Sequence, residues 1–130
     1  MSEHPNAVTV RKYLEAMTTG DAQAAADMLT DDIEWHEIGR PDAIHGKAAL
    51  AERFGMGSGT APSYEITGEL HDMISGDDHT VALLSAHATR GGETLDYKVA
   101  EIYHVRDGKI SGRWAMSDNT EAINAFFKGE

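Results

Sequence analysis

The sequence contains no cysteine, which excludes disulfides, zinc-thiolate centres and thiol nucleophiles together. It is also poor in positive charge: 11 Lys+Arg stand against 22 Asp+Glu, for a formal net charge of −11. Binding to a phosphate backbone relies on clustered Lys and Arg that release counterions, so nucleic acid and anionic membrane surfaces are not expected partners. No apolar run approaches the length of a membrane span. The opening Met1-Ser2-Glu3-His4-Pro5 has neither the basic nor the apolar stretch of a signal peptide, so the expected location is cytoplasmic. What remains is ordinary. A chain of 130 residues, 41% hydrophobic and 25% charged, matches a single globular domain, 1–130, with one core.

Periodicity divides this domain into elements. Over residues 6–19, Val10, Tyr13, Leu14 and Met17 follow the three-and-four spacing of one helical face, and Gly20 supplies a stop. Asp21 has the chemistry to cap a second, Ala-rich helix with Ala22, Ala25 and Leu29 on one side. Residues 32–38 alternate Ile33 and Trp35 with Glu34 and His36, the pattern of a half-buried strand, and helix returns over 47–54. The Gly-rich stretch 55–62 reads as a loop gating a pocket mouth; no Gly-Lys-Ser/Thr follows to make it a phosphate cradle. Four strands are expected over 64–75, 80–89, 94–106 and 109–117, separated by the hairpin signals Gly76-Asp77-Asp78, Gly91-Gly92 and Asp107-Gly108. A last helix over 119–127 follows Asp118, which stands three residues before Glu121 in capping-box spacing. The order places helices on one face of a curved antiparallel sheet, an α+β domain.

Two carboxylates fall on faces that should be apolar. In the strand 94–106, Asp96, Lys98, His104 and Arg106 share one side, whereas Glu101 falls with Leu95, Tyr97, Val99, Tyr103 and Val105. Desolvation there favours the neutral form of Glu101 and suits acid-base work, unless a salt bridge to Arg113, Arg53 or a histidine compensates the charge and makes the residue structural. Parity also puts Glu37 with Ile33 and Trp35, although at a strand end it is equally a rim carboxylate. Tyr13, on the apolar stripe of the first helix, aims its hydroxyl at the same interior. These three residues come from separate elements and converge.

Other chemistries find less support. The seven histidines include no pair at metal-ligand spacing on a helix, so no metal is expected. No Gly-x-Ser-x-Gly elbow marks a serine nucleophile.

The segments 12–21 (KYLEAMTTGD), 29–35 (LTDDIEW), 45–50 (HGKAAL) and 102–110 (IYHVRDGKI) together resemble the nuclear transport factor 2-like superfamily, in its SnoaL-like and ketosteroid-isomerase-like branch. The resemblance implies a cone-shaped sheet wrapped around helices, an apolar pocket, no cofactor, and a homodimer formed through the sheet. The outer dimer face would carry Val81, Leu83 and either Trp114 or Ala115. By the same resemblance, Tyr13 is similar to the oxyanion tyrosine of ketosteroid isomerases and Glu101 to their protonated acid. Glu37, or His36 if the strand is shifted by one, falls where those enzymes place their base. The implied pocket lining is Met17, Trp35, Phe54, Leu84, Tyr97, Val99, Tyr103, Trp114, Met116 and Phe126. Ala115 stands where polyketide cyclases carry an acid-base aspartate.

Three functions follow from this reading. The first is cofactor-free proton transfer on a small apolar carbonyl compound, as in an isomerase or lyase, with Glu37 moving the proton and Tyr13 and Glu101 stabilising the enolate oxygen. The second is a non-catalytic ligand-binding or dimerisation module of the same fold. The third is epoxide hydrolysis.

Overall fold

A computed structural model describes residues 3–53 and 64–127. The expected gate at 55–62 and the pocket position Phe54 lie outside these residues.

Helix α1 (Pro5–Thr18) starts with proline in its first turn, and its N-terminus is capped by His4, whose Nδ1 accepts from the Asn6 N–H at 3.1 Å. Ala7, Val10, Tyr13 and Ala16 form its buried stripe. Met17, expected in the pocket, is 51% exposed, because the stripe ends at Ala16 and Met17 lies in the last turn. Gly20, at φ +76°, reverses the chain in a conformation that favours glycine. Asp21 then caps α2 (Ala22–Asp27) by accepting from the Ala24 N–H.

The sheet holds β1 (Leu29–His36), β2 (Ile44–His45), β3 (Glu65–Ser75), β4 (Thr80–Arg90), β5 (Glu93–Arg106) and β6 (Lys109–Ser117); α3 (Lys47–Arg53) and α4 (Thr120–Phe126) complete the described elements. β2 was not foreseen, since two residues carry no readable period. The cap of α4 is Asn119, which accepts from the Ala122 N–H. Asp118, expected in that role, instead accepts from the Lys98 N–H at 3.0 Å and ties the start of α4 to β5.

Strand order is β2-β1-β6-β5-β4-β3. The meander from β3 to β6 is antiparallel, as the hairpin signals require. β1 pairs with β6 in parallel, which corrects the expectation of a wholly antiparallel sheet. β1 precedes the meander and adds to the free edge of its last strand in the same direction, so no hairpin turn sets its sense.

All four helices pack on one face, here called inner. α1, α2 and α3 contribute Val10, Tyr13, Ala25 and Leu50 to a cluster with Ile33, Trp35, Ala82, Tyr103 and Ile110. α4 contributes Ile123 to a second cluster with Ala86, Ala88, Tyr97 and Val99. Fully buried side chains such as Ile33, Ile110 and Val10 each stabilise the fold by about 1.5–3 kcal/mol.

The parity of β6 changes along its length. Val105 pairs with Ile110 and His104 with Gly112, so Ser111 is an extra, bulged residue whose hydroxyl donates to the His104 carbonyl. Ile110 and Arg113 therefore both point inward. Trp114 and Met116, expected in the pocket, are turned outward by the bulge, and Met116 is 55% exposed.

Candidate functional site

Across the inner face, Tyr103 on β5, Arg113 on β6 and Trp35 on β1 occupy one row. Glu101 and Ala115 face each other in the next. Glu101 thus sits between the two apolar clusters, as strand parity requires, and its charge is compensated. Arg113 Nη2 donates to Glu101 Oε2 at 2.5 Å, and the Tyr103 hydroxyl donates to Oε1 at 2.8 Å. The side chains of Arg113 and Glu101 are only 12% and 13% exposed. Burial works against the Arg113 charge, but the carboxylate beside it more than offsets this and holds the guanidinium above its ordinary pKa. Of the two readings open for Glu101, the geometry is that of the compensated carboxylate in a buried ion pair.

Arg113 is itself held from two further sides. Its Nη1 donates to the His36 carbonyl at 3.0 Å, and its guanidinium carbon lies 4.4 Å from the centre of the Trp35 ring, a cation–π contact. Its Nε is buried without a hydrogen-bond partner among the described residues.

Tyr13 stands edge-on to Tyr103, with ring centroids 6.1 Å apart. Its side chain is buried, yet its hydroxyl makes no hydrogen bond among the described residues. Burial raises its pKa, Arg113 pulls the other way and Glu101 adds to the rise. The phenol therefore stays an O–H donor throughout the physiological range. Tyr103 is raised well above its ordinary value, first by burial and then by Glu101. Tyr13, Tyr103, Glu101 and Arg113 form one polar cluster in an apolar surround.

The remaining candidates separate from it. Glu37, just past the end of β1, accepts from Arg53 Nε of α3 at 3.0 Å, forming a second half-buried ion pair. His36 is on the outer face, bonded to Glu34 at 2.7 Å and stacked on Trp114; the one-residue shift that would aim it inward does not occur. Trp35, Leu84, Tyr97, Val99 and Tyr103 line the inner face as expected, and Phe126 packs against the second cluster. Among the described residues, no three His, Asp or Glu side chains converge as metal ligands. A hollow of about 570 Å³ lies on the polar end of the sheet, lined by residues that include Thr67, Glu69, Ser85, His87, Asp96 and Lys98; it is distinct from the inner cluster.

Arg113, expected only as one of the possible ion-pair partners of Glu101, is a member of the site itself. Its signal in the sequence is a cation within a run of strand-forming residues, but without the bulge at Ser111 that run assigns it no face.

Comparison with known proteins gives a consistent picture. A model of the SnoaL-like domain family matches residues 10–113. No match is found among curated proteins. An NTF2-like protein of unknown function from Burkholderia pseudomallei is 18% identical with a TM-score of 0.81, over 98% of this chain and 100% of that one. Bal32a, from a soil-derived mobile gene cassette, is 23% identical with a TM-score of 0.80, over 95% and 97%. An LEH-like epoxide hydrolase from M. tuberculosis is 18% identical with a TM-score of 0.71, over 93% and 88%. At these identities the structures speak to the fold alone.

Proposed function

Because this chain belongs to the SnoaL-like domain family, which it matches over residues 10–113, we propose that it binds a small, largely apolar carbonyl compound on the inner face and transfers a proton on it without a cofactor. The observation that carries this reading is the Tyr13 hydroxyl, the end of a buried side chain, which makes no hydrogen bond among the described residues. A donor left open at the edge of an apolar core is the partner that a ligand oxygen requires. Tyr13 donates to the carbonyl oxygen and stabilises the negative charge that develops there. The Glu101 carboxylate, fixed by Tyr103 and Arg113, takes the proton from the carbon beside the carbonyl and returns it to the γ carbon of the dienolate, which regenerates the carboxylate. This keeps Tyr13 in its expected role, moves the base from Glu37 to Glu101, and leaves Glu37 to hold α3.

One observation favours a second reading, a non-catalytic binding module: both Glu101 oxygens already accept hydrogen bonds from the protein. Cyclohex-3-enone as a probe separates the two, because its isomerisation to the conjugated enone is followed by ultraviolet absorbance. Turnover by the wild type that falls by about 10²–10⁴ in Glu101→Gln and drops in Tyr13→Phe supports proton transfer. Thermal stabilisation by the probe without turnover leaves the binding module.

We also propose that two copies pair through the outer face. One outer row runs Ile74, Val81, Ile102, Trp114 and His36, and the next Asp72, Leu83, Ala100 and Met116. Ile74 is 60% exposed, and the two rows hold one carboxylate and no Lys or Arg, a depletion of charge suited to an interface core. The described helices all cover the other face, so a second sheet is the layer that completes the packing. Ile102→Glu should give a monomer in sedimentation at micromolar concentration; a wild-type monomer there would remove the dimer.

No helix among the described residues is long and apolar enough to cross a membrane.

A further inference from the structure

The outer apolar rows end in a run of imidazoles that the inner cluster does not use. His79 and His104 have ring centroids 4.7 Å apart, and His104 lies 4.5 Å from Trp114. His36 stacks on the same indole at 4.9 Å and 17°. Gly112 makes this arrangement possible, since a Cβ there would stand 2.7 Å from the Trp114 ring. The neighbouring outer row runs His104, Gly112, Glu34 and His45.

The charges facing this row are few. Glu34 is bonded to His36, and this bond, together with His36, His45 and His104, holds its carboxyl below the usual carboxylate range. Asp32 on β1 is already paired with Arg106 of β5. In the turn before β4, Asp77 is paired with His4 and Asp78 directly precedes His79. β6 brings Lys109, which pairs with Arg106 at the hairpin end of this face; nearer the imidazoles its outer residues are Gly112 and Trp114.

We infer that this imidazole row is a pH gate on self-association, pairing the outer face with a second copy when His36, His79 and His104 are neutral and releasing it as they take up protons. The inference rests on the outer-face dimer proposed above. Neutral rings extend the apolar surface of Trp114 toward the partner. Protonated rings bring several positive charges to the edge of the same surface, where Glu34 offsets one of them. The others must lose water without a counter-charge on pairing, which opposes association. Histidine is the side chain whose ordinary charge change falls between about pH 5 and 8.

Sedimentation of the full chain at about pH 7.5 and about pH 5.5 tests the gate, with circular dichroism confirming the fold at both. The wild type should be dimeric at the higher pH, and its dissociation constant should rise by about tenfold or more at the lower. The double variant His36→Gln and His104→Gln should lose most of that rise, whereas His87→Gln, which is remote from the row, should keep it. Single His36→Gln and His104→Gln chains, each losing part of the rise, replace the double variant if it does not fold. A wild-type dimer with the same constant at both pH values, or a double variant that keeps the full shift, overturns the gate and leaves the dimer standing. A wild-type monomer at both pH values overturns the dimer and the gate with it.

Discussion

Glu101 and Ile102 are neighbours on β5 and opposites in their surroundings. On the inner face Glu101 is bound by Tyr103 and Arg113, and Arg113 is bound in turn by the His36 carbonyl and Trp35. On the outer face Ile102 lies between Val81 and Trp114 in a row of apolar contacts. The inner face is interlocked, so removing any one polar group strands another where water cannot replace it. Side chains of the outer face can be lost singly, and their value to the fold is small until a partner covers them. One strand therefore serves two regimes, and substitutions on its two sides should differ more in kind than in position.

The largest effect expected from this contrast is that of Arg113→Met. It leaves the Glu101 carboxylate buried without its cation and should cost roughly 3–5 kcal/mol in denaturant unfolding. The double variant Arg113→Met with Glu101→Gln should recover much of the loss. A cost for Arg113→Met below about 1 kcal/mol, as for an exposed pair, would break the contrast.

Next comes Tyr103→Phe, which removes one donor to the carboxylate and should cost about 1.5–3 kcal/mol in the same assay. The third effect is on pH. Burial raises the pKa values of Tyr13, Tyr97 and Tyr103 above their unfolded values. The unfolded chain therefore ionises first, so this contribution to stability is complete below about pH 10 and is lost as pH rises above it. Urea midpoints measured from neutral to strongly alkaline pH should fall, and the fall should be shallower in Tyr103→Phe. The smallest effect is on the outer face. Ile74→Thr, at a side chain 60% exposed, should change the stability of the dissociated chain by no more than about 0.5 kcal/mol. A loss as large as that of Tyr103→Phe would show that the outer face is interlocked as well.

The sequence carried this contrast on β5 but not on β6. On β5 the alternation is strict, so the inward direction of Glu101 could be read from its neighbours alone. On β6 the bulge at Ser111 reverses parity midway, and a bulge leaves no local signature in residue type. Trp114 and Met116 were consequently expected inside, and Arg113 could be named only as one possible partner of Glu101 among several. Glu37 pointed the expected way, but its bond to Arg53 joins a strand end to a helix, a contact that no local period reports. Helices and hairpins were legible because caps, glycines and apolar stripes act over a few residues. The pairing of β1 with β6 was not, since its partners lie far apart in the chain.

That last junction has a consequence for the order of assembly. Arg113 reaches the His36 carbonyl across 77 residues of chain, and β1, paired early with β2, finds its second neighbour only after the whole meander has been made. During synthesis the N-terminal helices and the stripe of Ile33 and Trp35 must wait with an unpaired strand edge, and the loop they close is among the longest the chain allows. Such contacts are formed late and slowly. The cation that fixes Glu101 arrives earlier, across the β5–β6 hairpin, and is itself fixed by the late event that seats β1. A refolding chain should regain the β3–β5 hairpins before it regains the site, and chains released before residue 113 would have strands without the centre that gives them a use.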